Sequence, residues 1–480
     1  MTVVLTGSSL TLDEVVRVER GREHVELHPD TEERMLAARA VVEAHLDAGT
    51  PVYGMTTGVA ARKRNAVAAE DQEEHNRLLI EALLVGQGPN VSEDIVRATI
   101  LRLVNGFARG SSGVRPLLAN RLVDGLNEGR VPSIPLHGSV GMADIVPMAE
   151  LAHGLLGDLT LAPKEAVSLV DNDAFATAIA ALAIHDYVRL LDAFDAAGAL
   201  DLEAFGSNLS ILHLAVARER PYPALQATVV RLRDLLDGSS LWRDGAARNL
   251  QDPLSFRCLP QVHCAAREAL GYSERQLAVE LNGSQENPLL VRDESVIFSV
   301  GNFDPLVLAN ALDLLRIALA QVVTAGCERL IKLMQARFSG LVDGLSRSPD
   351  TPETTFPHLP YVAAALTGEA RLLAQPVSFE LPTTTIADGI EDRMTFAPLA
   401  ARRLAEMVAL GERVVALELI VGARAVELRS PHQLGGGTAE VAARVNERLR
   451  SPGADGRQVD VEPVLELVRS GALSLVGRSA

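Results

Sequence analysis

AFATAIAALAIHDYVRLLDAFDAAGAL, residues 174–200, is the stretch that decides the architecture. It is apolar on several faces and runs well past the usual three to four helical turns, so it stays in water only if neighbours cover it. Two further segments read the same way. From Pro305 to about Ala336, Leu308, Leu312, Leu315, Leu319 and Val322 recur at three- and four-residue spacing, interrupted only by charges such as Asp313, Arg316 and Glu328. A helix of that length spans about 48 Å at 1.5 Å per residue. From Pro398, well placed for a first helical turn, the pattern continues to about Leu428. Three such helices predict a mainly α fold, a bundle whose members are covered by one another and by other subunits.

The first 150 residues differ. Short β-rich pieces, Thr2–Leu5 and His24–Leu27, lie among helices, with glycine-rich turns at Tyr53–Gly58 and His137–Gly141. The expected division is a smaller mixed N-terminal domain over 1–185 and a long-helix bundle over 186–480. Loose tracts fall at Ser346–Thr355, Gln433–Thr438 and Ser451–Gly456. The chain has 480 residues, 48% of them hydrophobic, which is ample for a packed core. Lys+Arg 45 against Asp+Glu 62 gives a formal charge of −17. That balance argues against nucleic-acid and anionic-membrane partners, both of which need a basic surface. Three cysteines (Cys258, Cys264, Cys327) make no disulfide framework and fit no zinc spacing. With no basic n-region followed by an apolar core at the start, and no charge-free run of about 20 apolar residues, a cytoplasmic protein is expected.

Several motifs, in order along the chain, carry a resemblance. They are Tyr53-Gly-Met-Thr-Thr-Gly58, Ser112-Gly-Val-Arg-Pro116, Gly138-Ser-Val-Gly141 with Asp144 and Pro147, and Gln251-Asp-Pro-Leu-Ser-Phe-Arg257 with Pro260-Gln261. Asn287-Pro-Leu289, Gly301-Asn-Phe303 and Glu391-Asp392 complete the set. Together they resemble the aromatic amino acid lyase family, which includes histidine and phenylalanine ammonia-lyases. The resemblance implies a mostly helical homotetramer whose active sites draw on three subunits. It also implies an electrophile, methylidene-imidazolone, formed when an internal Ala-Ser-Gly cyclises and its serine loses water.

The triplet has no counterpart. Between Gly138-Ser-Val-Gly141 and Asp144-Ile-Val-Pro147 stand only Met142 and Ala143. Dehydration needs a β-hydroxyl and cyclisation needs a glycine nitrogen, so the prosthetic ring is expected to be absent and no cofactor is expected. Other departures accompany this one. Asp171-Asn-Asp173 replaces the family's Asn-Gly-Thr, and Leu254 the tyrosine three residues before Arg257. Ile390 replaces a glutamine, Ala82-Leu83 a Ser-His pair, and Asp304 a histidine. Ordinary deamination of histidine or phenylalanine is therefore not expected.

Matching positions supply the candidate site. Tyr53 matches the family's general base. A phenol of pKa near 10 must lose about two to three pKa units to serve near neutrality, about 3–4 kcal/mol of preference for the phenolate. Arg257 or helix N-termini are the expected sources; the bland alternative is a tyrosine that packs its ring and satisfies its hydroxyl. Arg257 matches a carboxylate-binding arginine, or else pairs structurally with Asp252. Asn282 and Asn287 are candidate substrate contacts, or turn residues before Pro288. Phe303 and Met142 are candidate substrate contacts. Glu391 matches a glutamate at the amine, or is a solvated loop acid. Asp171, with Asp173, is an N-cap of the following helix, or Asp171 brings in a new acid or base. His137 and Asp144 flank the lost triplet; they replace its chemistry, or are a loop residue and a cap. No tight metal-ligand spacing is present. Without the ring, a base abstracts only protons already acidified by a carbonyl or similar group. The expected activity is thus a ring-independent lyase, isomerase or cyclase (β-elimination, isomerisation or conjugate addition) on a small carbonyl-containing metabolite, in specialised metabolism. The alternative is a non-catalytic family member that partners an active copy or binds an amino acid as a regulator.

Overall fold

The computed structural model describes residues 2–347, 358–379, 386–429, 433–449 and 459–476. The tract Ser451–Gly456 and most of Ser346–Thr355 lie outside these. Helix dominates, as the periodicity requires. The three expected long helices are present and a fourth, not foreseen, joins them. They are α1 (Ala174–Phe205), α2 (Leu259–Asn282), α3 (Leu306–Leu333) and α4 (Ala397–Leu428). The segment Glu165–Phe205 and helix α3 are long and apolar enough to cross a membrane, but the apolar window of the first is 94% buried by protein. Its composition is that of a helix surrounded by other helices.

The chain forms two compact units. The first comprises 1–185, 273–313 and 376–402, and the second 186–272, 314–375 and 403–480. The expected boundary near residue 185 is one of the crossings. Two later segments also belong to the first unit, because each long helix contributes residues to both.

In the first unit, Thr2–Leu5 and His24–Leu27 form the expected strands and pair in parallel, Thr2 opposite His24 and Leu5 opposite Leu27. Two antiparallel ribbons, Gln87–Asn90 with Pro135–His137 and Leu289–Val291 with Val296–Phe298, are the other sheets among the described residues. The first turns of α1, α3 and α4 meet at small side chains, Ala176, Ala309 and Ala397, all fully buried. Alanine there lets three N-termini come together, which concentrates their partial positive charge. In the second unit, α1 and α2 are joined by a buried network. Asp195 accepts from His263 Nδ1 (2.7 Å) and pairs with Arg267, which also reaches Asp192 (2.9 Å). Arg329 of α3 lies fully buried between Asp201 and Glu418, at 3.1 and 2.6 Å.

Candidate active site

The loop around Tyr53 is fixed by its own backbone. The Val52 carbonyl accepts N–H groups from Met55, Thr56 and Thr57 (3.0–3.2 Å), and the Thr56 hydroxyl accepts the Val52 N–H at 2.7 Å. Gly58 N–H donates to the Asn65 carbonyl (2.9 Å) and Val67 N–H to that of Thr56 (3.0 Å), closing a compact turn. The Tyr53 hydroxyl accepts the Ala60 N–H at 3.0 Å. Tyr53 therefore borders a cleft of about 640 Å³, within the range of small-molecule sites. Met142, Asp171, Asn287, Phe303 and Glu391 border the same cleft.

Met142 is presented by a loop held by several hydrogen bonds. Ser139 Oγ donates to Asp144 Oδ1 (2.6 Å) and accepts the Gly141 N–H (3.0 Å). Ala143 N–H donates to the Phe303 carbonyl (3.3 Å), Asp144 N–H to that of Asn172 (2.8 Å), and Phe396 N–H to that of Val140 (2.9 Å). Gly141 has φ +75°, and a Cβ there would lie 2.4 Å from Thr395 Oγ1, so only glycine fits. Ala143 adopts φ +58°, a conformation that alanine rarely accepts and that the surrounding bonds impose. These residues do not fit the prosthetic ring. Met142 and Ala143 carry no β-hydroxyl, and the Ser139 hydroxyl is committed to Asp144.

Asp171 follows the short helix Glu165–Val170, and its Oδ2 accepts from Asn287 Nδ2 at 3.0 Å; Asn287 Oδ1 in turn accepts the Val300 N–H (3.0 Å). Burial pushes the Asp171 carboxyl up to about 7, the Asn287 bond holds it down in part, and Glu286 and Glu391 add to the rise. Burial likewise raises Glu391. The Tyr53 phenol is also raised, first by burial and then by Asp171 and Glu391, against the lowering effect of Ala60. That reverses the expected depression. The nearest charges are carboxylates rather than the arginine the sequence offered.

Of the other candidates, three do not border this cleft within one chain, and one capping expectation is corrected. Arg257 lies in the second unit, and Gln251, with its amide oxygen inward, accepts both guanidinium nitrogens (2.9 and 2.5 Å). Asp252, the expected structural partner, instead accepts the Asn208 N–H (2.7 Å) and Asn249 Nδ2 (3.2 Å). Asn282 does not border the cleft. Its amide clamps Leu10, accepting that N–H at 2.7 Å and donating to that carbonyl at 2.9 Å. His137 is exposed on its short strand, opposite Gln87, and its Nδ1 accepts from Arg402 (3.2 Å). Nor do Asp171 and Asp173 cap α1. Asn172 Oδ1 accepts the Ala174 N–H (3.1 Å) and Asp144 Oδ2 the Ala176 N–H (2.7 Å). Asp144 is thus a cap from outside the helix, raised to about 6 by burial. Asp173 is fully buried with neither carboxyl oxygen hydrogen-bonded, and burial, with Asp144 and Glu280 nearby, pushes its carboxyl well above the usual range.

The cleft contains side chains that the motif reading passed over. Leu79, Val59, Ile145, Val167 and Val170 give it an apolar wall, and two cations, Lys63 and Arg393, also border it. Arg393 is paired with Asp304 (3.1 Å), whose Oδ1 also accepts the Leu306 N–H at the start of α3. Lys63 stands in the basic run Arg62-Lys63-Arg64, ten residues after Tyr53, and that run is the signal that could have found it. Among the described residues, no group of three or more His, Cys, Asp or Glu is arranged to hold a metal ion.

A helical scaffold with a tyrosine loop, a Gly-Ser-Val-Gly loop and an acidic loop around one cleft defines an ammonia-lyase-type protein. The family model described as aromatic amino acid lyase matches residues 10–159 and 156–447, and the chain belongs to that family. Histidine ammonia-lyase of Symbiobacterium thermophilum is 32% identical, over 98% of this chain and 98% of its own length. That of Caldanaerobacter subterraneus subsp. tengcongensis is 30% identical over 99% and 98%. Among solved structures, the ergothioneine-degrading enzyme ergothionase of Treponema denticola superposes with a TM-score of 0.90 at 27% identity, covering 98% of this chain and 99% of that one. Histidine ammonia-lyase of Trypanosoma cruzi gives 0.88 at 28%, covering 98% and 94%.

Proposed function

We propose that the protein is a ring-independent lyase that eliminates an amine from a small carboxylate, with Asp171 and Tyr53 as its proton-handling pair. The observation that carries this reading is Asp171, hydrogen-bonded to Asn287 and bordering one cleft with Tyr53, Glu391 and Met142. A carboxyl raised to about 7 is partly ionised at neutral pH and strong enough as a base to matter. Tyr53, raised rather than lowered, keeps its proton and donates a hydrogen bond to charge that develops on the substrate. The base role expected of Tyr53 thus passes to Asp171.

With no electrophile to activate it, the amine must leave easily. A quaternary ammonium does so. The base takes the β-proton, which an electron-poor ring on that carbon acidifies, the C–H electrons form the double bond, and the C–N electrons depart with a neutral tertiary amine that needs no proton. Ergothioneine, which one solved relative degrades, has such a trimethylammonium group beside a carboxylate. Glu391, Asp392 and Asp171 offer that cation an acidic surface. The departures from the family pattern also support an enzyme rather than a decayed partner. Four of them, Leu83, Met142, Asp171 and Ile390, border this one cleft, while Leu254 and Asp304 do not. Leu83, where a histidine would meet an imidazole, favours an apolar or modified side chain over free histidine.

The purified chain is to be offered histidine, phenylalanine and their N-trimethyl betaines, with acrylate absorbance and amine release followed. Turnover of a betaine but not of the free amino acids is expected. Rapid ammonia release from histidine, or an intact mass short by two waters, would overturn the reading. We further propose a homotetramer. Leu314 and Ile317, on one face of α3, are 43% and 44% exposed and suit a subunit contact. Sedimentation velocity that returns a monomer would remove that part.

A further inference from the structure

We infer that the buried ion pair Lys164–Glu286 positions the reacting carboxyl of Asp171 and sets the field in which its proton moves. The pair clamps together the two backbone segments that present Asp171 and its partner Asn287. This inference rests on the lyase reading above and names the residues that tune its base.

Neither Lys164 nor Glu286 borders the cleft, and both are buried, so they act on the site from within the protein. Lys164 immediately precedes the short helix Glu165–Val170, and Asp171 immediately follows it, donating its N–H to the Val167 carbonyl at 2.8 Å. Glu286 immediately precedes Asn287, whose amide donates to Asp171. The two charges meet at 3.6 Å, Nζ to Oε2. Ser112 joins them: its carbonyl accepts from Lys164 Nζ at 2.7 Å, and its hydroxyl donates to Glu286 Oε1 at 2.7 Å. Ser168, inside the short helix, also accepts from the ammonium, at 2.9 Å. Lys164 makes these contacts from a left-handed backbone conformation (φ +75°), which a lysine rarely adopts. The helix of the acid is thus tied to the loop of the amide by a pair of opposite charges.

Cohesion alone does not call for charges at this place. Apolar residues of similar volume hold a buried contact about as well as an ion pair, and often better. What apolar residues cannot supply is a potential at Asp171. Glu286 raises the Asp171 carboxyl and Lys164 lowers it, so the two oppose each other while the pair is intact. The other titratable groups that bear on Asp171 are Glu391 and Tyr53, which border the cleft, and Asp173, two residues further on. Lys63, Asp392 and Arg393 also border the cleft. A ligand entering the cleft changes the field on that side, whereas the buried pair keeps its contribution.

The test reads Asp171 itself and needs no substrate. The C=O stretch of its protonated carboxyl is isolated by infrared difference between each full-length protein and its Asp171→Asn counterpart, then titrated against pH. Glu286→Gln keeps the shape of the side chain and leaves the ammonium in place, so the Asp171 midpoint should fall by about one pH unit. Lys164→Met leaves the carboxylate, so the midpoint should rise by about as much. Loosened packing would not move the two variants in opposite directions. Circular dichroism checks folding; if Lys164→Met does not fold, Glu286→Gln decides alone. A midpoint in Glu286→Gln that stays at the wild-type value or rises, or midpoints that move the same way in both variants, would overturn the inference. Once a substrate is found, the acid limb of kcat should follow the same midpoints. A limb that stays in place while the infrared midpoints move would remove Asp171 as the base of the lyase reading and leave the control of its proton by Lys164 and Glu286 standing.

Discussion

Buried carboxylates are met in two ways, and each compact unit supplies an example of one. In the second, Arg329 pairs with Asp201 and Glu418, and Arg267 with Asp192 and Asp195. Asp195 is held below its usual range, with Arg267 and His263 overcoming the effect of its burial. In the first, Asp171 takes its side-chain hydrogen bond from a neutral amide, Asn287, and opens on a cleft. The difference is one of purpose. A buried acid opposite a guanidinium is committed to holding helices together, and its charge is not available to a ligand. A buried acid opposite an amide keeps a carboxyl group poised between its two protonation states, which is what proton transfer requires.

The largest effect separates these roles directly. Asp171→Asn keeps the shape and a partner for Asn287 but removes the proton acceptor, so kcat on an identified substrate should fall about 10³-fold with Tm little changed. Tyr53→Phe should cost about 10²-fold. Normal turnover in Asp171→Asn would erase the contrast between the two units. The converse experiment is Arg329→Met, which strands two carboxyls in the interior. Urea unfolding should report a loss of about 3–5 kcal/mol. Its residual folded population should retain its KM if the network is purely structural. Glu391→Gln is milder, about a 10-fold loss in kcat/KM, because the residue is only half-buried and its charge bears on the substrate's ammonium before the amine leaves.

Much of the fold was legible because long-helix periodicity is strong. Residues 174–200 and 305–336 predict α1 and α3 almost to their ends, and the strands Thr2–Leu5 and His24–Leu27 stand where their β-branched residues placed them. Helix α2 was missed. Its apolar positions are diluted by Arg267, Glu268, Glu274 and Arg275, so that no uninterrupted apolar pattern announces it. The site was only half legible. Tyr53, Asp171, Asn287, Phe303, Met142 and Glu391 do come together. Asn282 looked identical to Asn287 in kind, yet its amide ties down Leu10 across 272 residues of chain, a contact no local pattern reveals. The sign of the Tyr53 shift was illegible for the same reason. It depends on which charges the fold brings near, and those proved to be Asp171 and Glu391 rather than Arg257.

The smallest expected effect sharpens the comparison most finely, because it reads Asp171 through stability rather than catalysis. Its carboxyl has an ordinary pKa near 3.9 in the unfolded chain and about 7 in the folded one. Between those values the folded protein binds the proton more tightly than the unfolded chain does, so stability from this group is greatest at low pH. It declines as pH rises from about 4 to about 7 and is level above that. Asp195, with its lowered pKa, has the opposite sign; its contribution is present at neutral pH and is lost as pH falls through the carboxylate range. The effect of Asp171 is modest, since the group borders a solvent-reachable cleft where screening trims electrostatic free energies. Urea midpoints from pH 4.5 to 7.5 for wild type and Asp171→Asn should therefore converge at the acid end and separate toward neutrality, with the asparagine variant the more stable there. Curves that stay parallel across that range would mean that Asp171 ionises as freely in the fold as in water, and the distinction between a committed and a poised carboxyl would fail at the residue on which it was built.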